Sequence, residues 1–247
     1  MRARSGAKLR PAVALVTGAS SGVGRAIASS LARHCREVCI VGRNSAGLTE
    51  TEVDARRFCR VATFQIDLTA ERALGPLLRH FQESVGRLDV LVHCAGVIYQ
   101  ETLENAALEH LDLQYAINVR APYLLTQRLL PLLAAARGQV VFVNSSLGLD
   151  AKRPDIGQYS ATKHAAKAIA DSLREEVNRK GIRVLTVYLG RTATPMQEAL
   201  HRQENKVYQP ELLLQPEDVA SLVVHTLMLP RTAEVTDICI RPMRKLC

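Results

Sequence analysis

The sequence predicts an α/β fold in which a parallel sheet of seven strands carries helices on both faces. Three observations lead there. Short apolar runs recur along the 247 residues, stretches of helical periodicity separate them, and a glycine-rich turn joins the first run to the first helix. The first strand is read over Ala12–Thr17, where Ala12–Val16 is an unbroken apolar run, as a strand buried on both faces requires. The glycine turn and a helix through Arg25–Arg33 follow, then strands over Glu37–Val41, Arg60–Ile66 and Leu88–His93. Leu74, Leu77, Leu78 and Phe81 lie at helical spacing before the fourth strand. Residues 97–136 are long for one crossover and read as a loop plus one long, bent helix, with Leu125, Leu129, Leu132 and Leu133 on one face. Strands over Gln139–Asn144, Ile182–Tyr188 and Glu234–Ile240 complete the set, with a helix over Gln158–Lys180 between the first two. Residues 190–215 precede a helix that Pro216-Glu217-Asp218 starts. In an open α/β sheet ligands bind beyond the carboxyl ends of the strands, so Met196–Gln215 is the expected substrate lid. No linker, repeat or charge block divides the chain. Residues 11–243 therefore read as a single domain behind a basic N-terminal tail, residues 1–10.

The formal net charge of +8 invites a nucleic-acid reading, but its location argues against one. Seven of the 32 basic residues lie in residues 1–10 and 241–247, where there is no acid, leaving 25 basic against 24 acidic side chains between them. A nearly neutral body lacks the basic stripe that a nucleic-acid partner demands. The six cysteines show no Cys-x-x-Cys and no Cys/His spacing suited to a metal, so reduced thiols in a cytoplasm are expected. The apolar run Ala12–Val16 falls short of the ~7–15 residues of a secretory core. The arginine-rich start has the composition of a transit peptide, yet strand one begins too soon to leave much to cleave. Nothing approaches the ~20 apolar residues of a membrane span.

Thr17-Gly18-Ala19-Ser20-Ser21-Gly22-Val23-Gly24 sits between the first strand and the first helix. A pyrophosphate needs backbone N–H groups pointing at it and no side chain in the way, and a glycine turn feeding a helix N-terminus supplies both. Strand two ends in Gly42-Arg43-Asn44. An acid near this point would bond the adenosine ribose of NAD and repel a 2′-phosphate. Gly42 removes that acid and Arg43 supplies a guanidinium suited to phosphate, so NADP(H) is expected over NAD(H), with Arg25 placed to assist.

Tyr159 and Lys163 are spaced to share one face of a helix. A free phenol has a pKa of ~10. A neighbouring ammonium favours the phenolate and suits the phenol to proton exchange with a substrate oxygen. Ser146, at the end of strand five, can bond the same oxygen.

Together these residues resemble the short-chain dehydrogenase/reductase family, over about residues 11–243. The glycine motif matches Thr17 to Gly24, and the family's adenine-contacting acid matches Asp67 in Ile66-Asp67-Leu68. Its active-site set matches Asn118, Ser146, Tyr159 and Lys163. The resemblance implies a single-domain, doubly wound, Rossmann-type sheet of seven strands and a homodimer or homotetramer built through Asn105–Ala136 and Gln158–Lys180. It also implies that Asn118 helps hold a proton-relay water, that Lys163 bonds the nicotinamide ribose, and that Gly190, Thr192 and Thr194 meet the carboxamide region. Three departures stand out. Asn-Asn-Ala-Gly reads His93-Cys94-Ala95-Gly96, keeping the Ala95-Gly96 backbone that passes the ribose; Pro-Gly reads Leu189-Gly190; and Thr162 replaces a serine. Cys94 reads as a small core residue rather than a redox nucleophile. Tyr188 reads as a core strand residue, and His201 and Arg202 as an exposed helix face.

The implied activity is reversible hydride transfer between NADP(H) and a carbonyl or secondary alcohol, with hydroxy acids, sugars, ketones and acyl thioesters all open as substrates. Two rivals differ in class. A cofactor sensor on the same fold would keep the glycine loop and lose the Tyr/Lys device, and this chain keeps both. Gly18-Ala19-Ser20-Ser21-Gly22 also matches the Gly-x-Ser-x-Gly elbow of serine hydrolases, but that device draws an oxyanion donor from a loop after an earlier strand, and none is read here.

Overall fold

The computed structural model describes residues 12–151 and 153–244; the basic tail expected over residues 1–10 lies outside the described residues. Its strands are β1 (Ala12–Thr17), β2 (Cys35–Gly42), β3 (Arg60–Gln65), β4 (Val90–His93), β5 (Gln139–Ser145), β6 (Arg183–Leu189) and β7 (Asp237–Ile240). They form one parallel sheet in the order β3-β2-β1-β4-β5-β6-β7. The helices are α1 (Gly22–Ala32), α2 (Ser45–Arg56), α3 (Gly75–Arg79), α4 (Leu108–Tyr115), α5 (Ala121–Ala136), α6 (Gly157–Val177), α7 (Pro195–Gln203) and α8 (Pro216–Leu227).

Alternation along β1 explains the two layers. Ala12, Ala14 and Val16 face a cluster with Ile27 and Leu31 of α1, Leu48 of α2 and Val219 and Val223 of α8. Val13 and Leu15 face Leu77 of α3, Leu125 and Leu129 of α5 and Leu173 of α6. A strand with every residue buried reads as a solid apolar run because both sets need a hydrophobic partner.

Strand two begins two residues earlier than expected, at Cys35, and strand six one later, at Arg183; strands four and seven begin two and three residues late, each where an acid takes a rung of the ladder. Strand four begins at Val90 rather than Leu88, since the Asp89 carboxylate accepts from the Val13 N–H at 2.9 Å. Strand seven begins at Asp237 rather than Glu234, whose carboxylate accepts from the Val184 N–H at 3.0 Å. The long crossover over 97–136 is a loop followed by α4 and α5, joined by the π-helical turn Ala116–Arg120. Pro216 starts α8 as expected, with Gln215 and Asp218 forming a reciprocal capping box. No helix among the described residues is long and apolar enough to cross a membrane.

The π-helical turn after α3, His80–Val85, carries Phe81 into the second cluster with no exposed surface. Phe81→Ala is expected to lower the unfolding free energy by ~3–5 kcal/mol through loss of burial and a residual cavity, read as a shifted urea midpoint at unchanged slope.

Candidate active site

The sheet order reverses between β1 and β4, and a cleft of about 420 Å³ opens at the carboxyl edge there. Loops after β1 through β6 contribute to its wall, together with α6 and α7. Every residue that the sequence assigns to cofactor or catalysis lines this cleft except Thr17, Arg25 and Asn118.

Thr17 is buried and joins β1 to β4: its hydroxyl accepts from the N–H groups of Cys94 and Ala95 at 3.1 and 3.2 Å and donates to Val92 O at 3.3 Å. Backbone then passes over backbone. Gly18 has φ +70°, and a Cβ there would lie 2.7 Å from Ala95 N. A Cβ at Gly24 would sit 2.2 Å from the Gly18 carbonyl oxygen, a distance no side chain tolerates. Ser21 caps α1 without a side-chain hydrogen bond, which leaves the first-turn N–H groups open to an anion.

At the β2 end Arg43 is exposed at the rim, while Asn44 turns inward to cap α2 by accepting from the Gly47 N–H at 2.8 Å. Asp67 accepts from the N–H and hydroxyl of Thr69 at 2.9 and 2.8 Å; these bonds, with a smaller contribution from Arg43, hold its carboxyl below the ordinary value. Arg25, expected to assist here, is not among the residues that line the cleft. Its guanidinium donates to Glu50 at 2.6 Å and to Ser20 O at 2.6 Å, bracing the glycine loop from behind.

The next wall is neutral. Burial pushes the Cys94 thiol up to about 12 against the opposing field of Lys163, so it stays protonated near neutrality. His93, buried beside Thr126 at 2.8 Å and against the Phe142 ring, is held down to about 3 by burial.

Tyr159 and Lys163 are both buried on α6, with Lys163 Nζ 5.6 Å from the phenol ring centroid and 3.5 Å from Val143 O. Their helix is pinned to the sheet by Asn144, whose Nδ2 donates to Lys163 O at 3.0 Å while its Oδ1 accepts from the Ser145 N–H at 2.8 Å. A Cβ at Gly148 would lie 2.9 Å from that Oδ1, so only glycine fits under the joint. Ser146 sits just past β5, in the short turn Ser146–Gly148, and is exposed to the cleft. Asn118 is fully occupied: its Oδ1 accepts from the Val97 N–H at 3.0 Å, and its Nδ2 donates to Val97 O at 2.9 Å and Thr162 Oγ1 at 3.0 Å.

Three residues of the site left no local sign in the sequence. Arg153 and Arg191 line the cleft, and both reach Glu204, at 3.1 and 3.3 Å. Gln100 and Lys206 donate to the same carboxylate at 3.2 and 2.8 Å. Burial alone would raise Glu204, but Lys206, Arg153, Arg191 and Gln100 outweigh it and hold the carboxyl at about 2. The one available cue was that Arg191 follows Gly190 at the ligand edge. His201, expected on an exposed face, is buried: Gln197 holds its ring and Tyr208 packs edge-on against it. Arg202 is exposed as expected, and Tyr188 is a buried strand residue. Glu37, Cys39 and His80 also bring possible ligand atoms within 4.8 Å of one another, a grouping invisible to sequence spacing; Glu37 and His80 already bond each other at 2.9 Å.

A glycine turn at a helix N-terminus on the carboxyl edge of a doubly wound parallel sheet defines the class, a Rossmann-type nucleotide-binding α/β protein. The family model described as short chain dehydrogenase matches residues 12–205, and the chain belongs to that family of oxidoreductases. It is 30% identical to an uncharacterized oxidoreductase of Staphylococcus epidermidis, over 96% of this chain and all of that protein. It is 32% identical to a glycine betaine reductase of Emericella nidulans, over 93% of this chain and 18% of that much longer protein. Among solved structures, an alcohol dehydrogenase from the archaeon Thermococcus sibiricus complexed with 5-hydroxy-NADP superposes with a TM-score of 0.85 at 24% identity, covering 96% of this chain and 98% of that one. A metagenomic short-chain oxidoreductase in complex with NADP gives 0.81 at 26% identity, covering 95% and 98%.

A carboxyl held low in the folded state stabilises the fold above its unfolded value of ~4.3, and the contribution disappears as the pH falls toward about 2. Glu204→Gln is therefore expected to lower the urea unfolding free energy by roughly 3 kcal/mol at neutral pH and by far less at about pH 3. Equal losses at the two pH values would show that the charge of Glu204 contributes nothing.

Proposed function

We propose that this protein is an NADP(H)-dependent oxidoreductase that transfers hydride reversibly between the nicotinamide and a carbonyl or secondary-alcohol substrate, with Tyr159 as general acid and base. The observation that carries this reading is the meeting, in one cleft, of a cradle free of side chains with Ser146, Tyr159 and Lys163. The cradle suits a diphosphate because glycine alone fits at Gly18 and Gly24 and the first turn of α1 lacks a capping side chain. Thr17, Ser20, Ser21, Gly22 and Val23 complete it; Asp67 and Leu68 flank the adenine, Cys94, Ala95 and Gly96 the ribose, and Gly190, Thr192 and Thr194 the carboxamide. Arg43 would meet a 2′-phosphate, which favours NADP(H) over NAD(H). Bound there, the nicotinamide supplies or accepts the hydride.

The remaining chemistry belongs to the chain. Ser146 donates a hydrogen bond to the substrate oxygen, stabilising the negative charge that develops there as the carbonyl is reduced. Tyr159 delivers a proton to that oxygen and takes it back in the reverse direction. Lys163 offsets the charge left on the phenol oxygen and also bonds the nicotinamide ribose. Since both amide hydrogens of Asn118 are committed to Val97 O and Thr162, its side chain supports the proton path by holding the β4 loop against α6. The protonated Cys94 and neutral His93 add no charge to compete with these groups.

Assembly as a homodimer or homotetramer through the long helices belongs to the same proposal, supported by exposed Leu108, Tyr115 and Tyr123 on α4 and α5. Thiols at Cys39, Cys94 and Cys239 suit a reducing, cytoplasmic compartment.

Tyr159→Phe is expected to abolish turnover across a carbonyl panel while NADPH affinity, read by nucleotide fluorescence, stays within about twofold; retained turnover would exclude this mechanism. Arg43→Ala should weaken NADPH binding ~10–100-fold and leave NADH binding unaffected, as expected for loss of charge-assisted bonds to a phosphate. Equal losses for both nucleotides would remove Arg43 from cofactor selection.

A further inference from the structure

Arg153 and Arg191 have no part in the acid–base chemistry, yet both line the cleft that holds Ser146 and Tyr159. Their place in the fold assigns them to the substrate end. Arg153 follows β5 in the loop that begins with Ser146, and Arg191 follows β6, whereas Arg43 lies on the other side of β1 and β4, after β2. The Arg153 and Arg191 side chains are about one-third exposed, 34% and 29%, while that of Glu204 behind them is 8% exposed.

The charge around that carboxylate does not balance. Its Oε1 accepts from Arg153 and Gln100 and its Oε2 from Arg191 and Lys206, so neither oxygen is left for a ligand. Asp155 also accepts from Arg153, at 3.4 Å, and from Gln100. Three cations therefore share two anions. Toward these acids each arginine uses only Nη2, leaving the Nε and Nη1 hydrogens, of five per guanidinium, without a protein acceptor among the described residues. Partly buried cations with an uncancelled charge and unspent donors, held rigid by a saturated carboxylate, are arranged for an anion.

We propose that the substrate of this reaction carries a carboxylate, received by Arg153 and Arg191, so that the protein acts on a small oxo acid and the matching hydroxy acid. The excess of one positive charge matches the single charge of a carboxylate, and the planar guanidinium fork matches its geometry. Glu204 acts here as a positioning residue: it holds both arginines through one Nη2 each and turns no lone pair to the cleft. The substrate class rests on the oxidoreductase reading, but the anion site does not, and the two can be tested apart.

Oxo acids of four to six carbons and their methyl esters are compared by NADPH absorbance. Wild type is expected to favour the acids in kcat/KM by at least ~10-fold, and R153Q/R191Q to lose ~100-fold on acids, chiefly through KM, bringing the acid-to-ester ratio near one. An acid-to-ester ratio near one in the wild type, or equal losses on acid and ester in the variant, overturns the proposal. Calorimetry supplies a readout that needs no turnover: pentanoate is titrated into NADPH-saturated protein beside pentanamide. Tighter binding of pentanoate, lost in R153Q/R191Q, supports the anion site even if no carbonyl is reduced, in which case the oxidoreductase reading fails alone. Turnover of esters with no preference for pentanoate overturns the anion site alone. Should R153Q/R191Q fail to bind NADPH, R153K/R191K is used instead. It keeps both charges and loses the forks, so a pentanoate preference reduced ~10-fold supports the site, and an unchanged preference overturns it.

Discussion

Asn144 donates to the main-chain carbonyl of Lys163 at 3.0 Å, and this bond joins the sheet to the helix that carries both Tyr159 and Lys163. One side chain at the end of β5 thereby positions the phenol, the ammonium and, through the Ser145 N–H, the turn that presents Ser146. The contact needs Gly148, because any Cβ there would strike the Asn144 amide and the Lys163 carbonyl together. Helix, strand and turn are thus locked within one buried polar contact, and the relative placement of Ser146, Tyr159 and Lys163 follows from the backbone that carries them.

Close backbone approach does the same for the nucleotide end. Thr17 ties the last turn of β1 to the start of the loop after β4, and Gly18 then passes within reach of Ala95 where no side chain would fit. Arg25 braces the loop by bonding Ser20 O and Glu50, an interaction that stiffens the cradle from outside the cleft. Packing, not ligand contact, is therefore what several of the residues around the cradle contribute.

Charge is partitioned along the cleft in a way that matches these supports. Arg43 marks one end; Cys94 and His93 keep the next wall uncharged; Lys163 stands beside the phenol; Arg153 and Arg191 gather on Glu204 at the other end. Glu204 also caps α7, so that helix is tethered to the loops after β4, β5 and β6 through one buried carboxylate. Charge and the position of α7 are coupled at that residue.

The sequence by itself determined the seven strands, the two-faced sheet, the glycine cradle and the placement of Tyr159, Lys163 and Ser146 at its open edge. Those features depend on local patterns: an apolar run such as Ala12–Val16, a one-turn spacing on a helix, a glycine where a helix begins. Only the tertiary structure decided that Arg25 bonds Ser20 O and Glu50, that His201 is buried, and that Asn118 spends its amide on Val97 and Thr162. The same holds for the convergence of Gln100, Arg153, Arg191 and Lys206 on Glu204. The physical reason is reach: a hydrophobic period declares itself within a few residues, whereas a long charged side chain takes its partner from whichever loop the fold delivers.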